Sequence, residues 1–350
     1  MRTANHNNLN YSDVIHYLHT KSYNWLITGV AGFIGSNLLE ALLKLNQRVI
    51  GLDNFSTGFQ SNLDDVKIKV SGEQWSNFTF IEGDIRDPKT CLAVCNNIDY
   101  ILHQAALCSV ERSIHDPIST STNNIDGFLN MLVAARDRAI KRFVYASSCA
   151  VYGDCEELPL TEEKKGNLLS PYSADKHINE LHAGLFSRIF NLQTIGLRYF
   201  NIFGPRQDSN SSYSSVIARW LTALICNQEV YIYGDGKTTR DFCYIEDCIQ
   251  ANILAACTKN PEAINHVYNI GSGKQLSLNE LYEFIQKTIM KFNHNVNDPS
   301  PVYKDFRHGD IRHSLADISK ASKVLGYESK YSIQEGLDLT ADWYVNKQQN

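Results

Sequence analysis

The series Thr28-Gly29-Val30-Ala31-Gly32-Phe33-Ile34-Gly35 stands directly behind a short apolar run, Trp25–Thr28, and ahead of an amphipathic segment, Asn37–Leu45. A strand, a glycine turn and a helix in that order open a βαβ unit. The glycines have separate tasks. Gly29 permits the sharp strand-to-helix turn, Gly32 lets the backbone approach a pyrophosphate, and Gly35 allows close packing of a helix expected over Ser36–Leu45, whose amino terminus offers N–H donors to the anion. Glycines alone would equally describe a tight turn, so the flanking strand and helix carry the reading.

Outward from this unit, β-branched and aromatic runs alternate with helix-length amphipathic segments as far as Ile270. The predicted strands are Trp25–Thr28, Arg48–Asp53, Phe78–Glu82, Tyr100–Gln104, Arg142–Ser147, Gln193–Tyr199 and Val267–Ile270. Predicted helices include Asn124–Arg138 and Ser173–Phe190. That alternation predicts a Rossmann-type α/β fold, a doubly wound parallel sheet. After Asn201 the chain turns rich in Ser, Asn, Gly and Pro over Phe203–Ser215, then runs into an apolar helix, Val216–Cys226, so a smaller carboxy-terminal α/β substrate lobe is expected to begin here. The predicted organisation is an extension over 1–22, a dinucleotide-binding domain over 23–200 rejoined by 244–270, and a second lobe from 201–243 and 271–350. Tyr11–His19 reads as a short helix, and Asn293–Pro301 as a polar loop.

Composition narrows the partners. A chain of 350 residues with 43% apolar content can bury a large core, and a net charge of -5 with mixed signs provides no basic stripe for nucleic acid or an anionic membrane. No run approaches the ~20 apolar residues of a membrane span. Met1–Tyr23 is polar and lacks an export signal, so a cytoplasmic protein is expected. The nine cysteines are scattered without metal-site spacing, which predicts reduced thiols and no metal.

Asp53 ends the second strand, where a carboxylate accepts hydrogen bonds from an adenosine ribose and repels a 2′-phosphate, favouring NAD over NADP. Asp84 ends the third strand, in position for the adenine edge, and His103-Gln104-Ala105-Ala106 ends the fourth with small residues. Ser148 follows the fifth strand. Tyr172 and Lys176 stand one turn apart on the next helix. A phenol is a poor base near neutral pH, with a reference pKa of ~10, but an ammonium and a cationic nicotinamide both favour its phenolate. Tyr172 is then suited to take a proton from a sugar hydroxyl while Ser148 holds the same oxygen. Alone, such a Tyr–Lys pair would be an ordinary helix-surface contact; behind a glycine fingerprint and a post-strand serine it is not.

These motifs resemble the extended short-chain dehydrogenase/reductase family over about Asn24–Tyr344, and within it the UDP-hexose 4-epimerases acting on N-acetylhexosamines and their uronic acids. The resemblance implies that Gly29, Gly32, Phe33, Ile34, Asp53, Asn54, Ser56, Thr57, Gly58, Asp84, Ile85, Gln104, Ala105, Asn124, Tyr172, Lys176 and Phe200 contact NAD. It implies a UDP-sugar in the second lobe, with Asn201, Arg240 and Arg307 on the diphosphate, Asp310 on the ribose, and Ser215, Val216, Tyr231 and Tyr233 lining the nucleotide. It also implies a homodimer built from two helices per subunit.

Departures from the pattern refine the expectation. Ala150 occupies the place of a Glu in related dehydratases and decarboxylases, which need that extra acid/base group, so simple epimerisation is expected. Ser314 matches a gate that resembles a bulky Tyr in enzymes restricted to unsubstituted hexoses; its small side chain leaves room for an N-acetyl group, the other reading being a plain surface serine. Ser109 lies in a loop resembling the sugar-facing segment, where Cys108 and Glu111 replace Gly and Pro, and Cys149 replaces Ser or Ala. Glu111 would repel a uronate carboxylate unless it points away. A uronate and a neutral UDP-N-acetylglucosamine therefore compete as substrates. A non-catalytic NAD-sensing protein is a third reading, opposed by the intact Ser148, Tyr172 and Lys176.

Overall fold

The computed structural model describes residues 10–209, 215–292, 300–306 and 311–349. Its centre is a seven-stranded parallel sheet. The strands are β1 (Asn24–Thr28), β2 (Arg48–Asp53), β3 (Phe78–Glu82), β4 (Tyr100–His103), β5 (Arg142–Ser148), β6 (Thr194–Tyr199) and, after four short strands of the second lobe, β11 (His266–Ile270). Those four are β7 (Ile202–Phe203), β8 (Tyr231–Tyr233), β9 (Thr239–Arg240) and β10 (Cys243–Tyr244), followed later by β12 (Leu276–Ser277) and β13 (Val302–Lys304). Each predicted sheet strand is present, with ends shifted by at most one residue.

The sheet order is β11-β6-β5-β4-β1-β2-β3, so the winding reverses between β1 and β4. The carboxyl ends of those two strands form the topological switch point, the place where parallel α/β sheets bind ligands. Helices cover both faces, which explains why the inner strands read as continuous apolar runs rather than alternating ones: Trp25, Leu26, Ile27 and Thr28 are all fully buried, and every residue of β6 is buried. Edge strand β3 is only half-buried.

Two helices begin where the chemistry needs them. The first runs Phe33–Lys44, three residues earlier than Ser36, because Gly32 itself is the N-cap, in an extended conformation. Pro171–Phe190 opens with Pro at its first position and a reciprocal cap between Ser170 and Ser173, and it ends at the left-handed Asn191. The segment predicted as Asn124–Arg138 starts instead as a π-helical turn, Thr122–Asp126, that runs into the helix Gly127–Asp137.

The second lobe is assembled from small pairs: β7 with β10, β9 with β12, and β8 with β13. Helices Val216–Ile225, Leu278–Phe292 and Ile333–Gln349 pack beside them. Helix Ile245–Cys257 returns to the central sheet and packs against β4, β5 and β6, while the amino-terminal helix Tyr11–Thr20 buries Val14 and Leu18 against it. Among the described residues no helix is long and apolar enough to cross a membrane. None of the nine cysteines is joined in a disulfide.

Candidate active site

The glycine turn is shaped by contact distances. Gly29 has φ +71°, and a Cβ there would come within 2.7 Å of the Ala105 nitrogen beyond β4. A Cβ on Gly35 would collide with the Gly29 oxygen at 2.0 Å. At Gly32 it would meet only that same oxygen, at 3.2 Å. No side chain caps the helix that Gly32 starts, so the N–H groups of its first turn, at Phe33 and Ile34, are available to an anion. An uncapped helix terminus with a glycine at its mouth fits a dinucleotide pyrophosphate.

Asp53 is buried at the end of β2, and its oxygens accept from Ala31 N at 2.9 Å and Phe55 N at 2.8 Å. Burial raises its pKa, against the pull of those backbone bonds. Each oxygen keeps a lone pair for a ribose hydroxyl. The following loop is tied to the glycine turn: Phe59 N donates to Ala31 O, Gly58 lies against Ala31, and Ser56 N bonds Asn54 Oδ1, leaving Ser56 and Thr57 exposed. Asp84 is engaged by a partner the sequence reading missed. Arg86 grips both its oxygens and Asn54 donates to one, and the hydrogen bond from Arg86 pulls its carboxyl down to about 2. Ile85 is buried against Gly127.

Past β4, Gln104 bonds Asn252 and Ala105 N reaches Thr28 Oγ1. His103 is buried beside them, and desolvation followed by the Lys176 charge drives it down to about 3, so it is a neutral ring bonded to Thr28. The π-helical turn aims Asn124 at the loop that follows. Its side chain takes Leu107 N at 2.8 Å and gives to Leu107 O at 3.0 Å and to Asp175. It holds the loop carrying Cys108 and Ser109, with its polar atoms committed to the protein. Phe200 is fully buried, its ring 6.0 Å from that of Tyr152.

Ser148 ends β5 in an extended conformation, its Oγ accepting from Ala150 N at 3.1 Å. Lys176 Nζ lies 5.9 Å from the centre of the Tyr172 ring and donates to the Ala146 carbonyl of β5 at 2.8 Å. Burial brings Lys176 down to about 8, opposed by Cys108, Asp175 and Glu180. Burial also raises the Tyr172 phenol, with Cys108 adding to the rise and a hydrogen bond from Ser148 opposing it. The protein alone therefore keeps Tyr172 protonated. Cys108, noticed in the sequence only as an odd replacement, is thus an exposed neighbour of both catalytic candidates. Ser109 caps the short helix Val110–His115 through Arg112 N, with Glu111 exposed in its first turn.

In the second lobe a cavity of about 240 Å³ gathers Asn201, Ser215, Val216, Tyr231, Tyr233 and Arg240 in one wall. Arg219, Trp220, Thr238 and Phe242 join them, unforeseen. The available signal was a lone cation, Arg219, in the otherwise apolar helix Val216–Ile225. Asn201, at φ +27°, bonds the Asp241 carbonyl, and the Arg240 guanidinium bonds Thr239 O. The cavity and the Tyr172 cluster adjoin through Cys149, next to Ser148: burial raises its thiol's pKa, and Arg240 and the Asn201 backbone pull it down. Ser314 is 6% exposed, which overturns the surface-serine reading. It sits between two bridges, Thr239 to His313 and Leu160 to Ala316, and is not in the cavity wall. Arg307 and Asp310 lie outside the described residues.

The sequence of the NAD dependent epimerase/dehydratase family matches residues 25–271. A putative UDP-glucose 4-epimerase of Methanocaldococcus jannaschii is 34% identical over 323 residues, 92% of this chain and 98% of that protein. The structure of a UDP-N-acetylglucosamine 4-epimerase from Methanobrevibacter ruminantium, in complex with UDP-N-acetylmuramic acid, superposes with a TM-score of 0.85 at 35% identity, covering 93% of this chain and 99% of that one. A UDP-glucuronic acid 4-epimerase from Bacillus cereus, solved with UDP-glucuronic acid and NAD, gives 0.80 at 31% identity over 93% and 100%. A switch point in the sheet, a buried Tyr–Lys pair behind β5 and likeness along nearly the whole chain converge, and the chain belongs to the NAD dependent epimerase/dehydratase family.

Proposed function

We propose that this protein is an NAD-dependent UDP-sugar 4-epimerase that interconverts UDP-N-acetylglucosaminuronate and UDP-N-acetylgalactosaminuronate through a transient 4-keto sugar, for surface polysaccharide synthesis. One observation carries the reading: a buried phenol stands beside a serine at the carboxyl end of β5 and an ammonium, in a chain that also holds a cavity with two guanidiniums. Bound NAD supplies the acceptor for the carbon-4 hydride and returns it. Tyr172 takes the carbon-4 hydroxyl proton and gives it back to the same oxygen after the keto sugar has turned its other face inward; Ser148 orients that oxygen, and Lys176 supplies the positive charge that eases loss of the phenol proton. Gly29, Gly32, Phe33, Ile34, Gln104 and Ala105 cradle the dinucleotide, with Asp53 on its ribose. Residues 23–200 with 244–270 hold the cofactor, and 201–243 with 271–350 hold the nucleotide sugar.

Arg240 and Arg219 are suited to the diphosphate, since a guanidinium donates two parallel hydrogen bonds to phosphate oxygens. With alanine at position 150 there is no acid there for elimination. Ser314, small where the resemblance implies a gate, supports an N-acetylated sugar. A neutral UDP-N-acetylglucosamine is the second reading, favoured by the exposed Glu111 beside the Ser109 loop and by the 35% identity to an epimerase of that name. The partner is a second copy of the chain: Leu181, Leu185 and Ile189, spaced four apart on the Tyr172 helix, are 55%, 42% and 64% exposed. Incubation with the uronate and with its neutral parent, followed by NMR of carbon-4 stereochemistry, tests the assignment; conversion of the neutral sugar alone would replace it.

A further inference from the structure

The guanidinium of Arg206 has no exposed surface, although nothing above gives it a task. A buried charge persists only where partners compensate its lost hydration. Two helices supply them. Arg206 pairs with Glu40 on the helix that opens the glycine fingerprint and, at 2.6 Å, with Asp65 on helix Gln60–Lys69, which follows the ribose loop. It also reaches Ser36 O and Asn37 Oδ1, at 3.4 and 3.2 Å, while Asn37 Nδ2 returns a bond to Pro205 O at 3.0 Å. To make these contacts the backbone at Arg206 adopts φ +69°, a left-handed conformation that side chains other than glycine rarely take.

The next residue faces the other way. Gln207 donates to Ile202 O at 3.0 Å and accepts from Ser215 Oγ at 2.9 Å. Ile202 and Ser215 are both in the wall of the nucleotide cavity. Two adjacent residues thus join the second turn of the cofactor helix to the cavity expected to hold the UDP moiety. We propose that Arg206 is a positioning residue that sets the register of that cavity against the glycine-fingerprint helix, and so places carbon 4 over the cofactor. This rests on the epimerase reading above.

A simple structural clamp would fail differently from a positioning device, and the surroundings allow the two to be separated. Glu40 and Asp65 each have a second cation, Lys44 at 2.6 Å and Lys69 at 3.5 Å, so the carboxylates keep a partner when Arg206 is replaced. The test uses the full chain as Arg206→Met, Arg206→Lys and Glu40→Gln, with thermal melting, calorimetry of UDP, NAD binding by tryptophan quenching, and kcat and KM on the accepted UDP-sugar. In Arg206→Met, kcat is expected to fall about 30-fold or more, with KM rising no more than about fivefold and the affinities for UDP alone and NAD alone changing by no more than about threefold, since a misplacement of ~1 Å costs about 100-fold. Arg206→Lys should recover part of that loss, and Glu40→Gln should show the same split if Arg206→Met does not fold. Because the joint serves both sites, UDP and NAD should also tighten each other's binding by about fivefold in the wild type and not in Arg206→Met.

Retained kcat in the folded variants would overturn the proposal. So would parallel losses of melting temperature, affinities and kcat with no recovery by lysine, or a wild type without mutual tightening. Failure of the wild type to change carbon 4 of any UDP-sugar, with both ligands bound and mutually tightened, would instead overturn the epimerase reading and leave the joint standing.

Discussion

Lys176 is held 5.9 Å from the centre of the Tyr172 ring by its hydrogen bond to the Ala146 carbonyl, so strand β5 fixes where the ammonium meets the phenol. Removing only the phenolic oxygen isolates its role. Tyr172→Phe should bind NAD almost as well as the wild type while losing at least ~100-fold in epimerisation, the scale of a missing general acid/base. NMR of the product together with a quenching titration for the cofactor checks this, and turnover at the wild-type rate would remove Tyr172 from the chemistry.

The same burial makes Lys176 a source of pH-dependent stability. Its folded pKa of about 8 lies below the unfolded value near 10.5, so between those pH values the unfolded chain binds the extra proton and stability rises with pH. The penalty is complete below about pH 8 and is relieved towards pH 10.5. Compared with Lys176→Met, ligand-free wild type should gain on the order of 3 kcal/mol across that window, read from urea midpoints at each pH. A difference that stays constant with pH would show that Lys176 is not desolvated.

Two neighbouring glycines should answer alanine in opposite ways. Gly35→Ala drives a Cβ into the Gly29 oxygen and should destabilise the fold by about 3 kcal/mol or more. Gly32→Ala meets only that oxygen, at 3.2 Å, and should cost far less stability than Gly35→Ala, yet lose tenfold or more in NAD affinity, roughly 1.4 kcal/mol. Thermal scans and NAD titrations of both variants separate packing from binding. Unchanged NAD affinity in Gly32→Ala would move the pyrophosphate elsewhere.

Asp241, next to Arg240, is fully buried and accepts four hydrogen bonds, from Ser272 N and Oγ, Gly273 N and Ala316 N. Asp241→Asn turns one acceptor into a donor facing those donors, and should cost about 3 kcal/mol by chemical denaturation. UDP affinity should fall with it, because the anchored segments flank Arg240 and Ser314. An unaltered midpoint would mean that the segment is held by its backbone alone.

The exposed Leu181, Leu185 and Ile189 stripe predicts self-association. Leu185→Glu places a charge in the middle of that face and should convert a dimer into a monomer, measured by light scattering at micromolar concentration. A wild type that is already monomeric would assign the stripe another partner.

The glycine series, the seven sheet strands and the Tyr172–Lys176 spacing were legible in the sequence because each depends on local periodicity or on residues within one turn of each other. The start of the first helix was misplaced by three residues because Gly32, lacking a side chain, caps it through backbone conformation alone. Contacts across the chain could not be read this way. Cys108 beside Tyr172, Arg219 in the cavity wall and the burial of Ser314 depend on where separate elements meet in space. The protonation of Tyr172 and Lys176 belongs to the same class: sequence supplies a phenol and an amine at the right interval, but only packing excludes the water, and that desolvation raises one pKa and lowers the other.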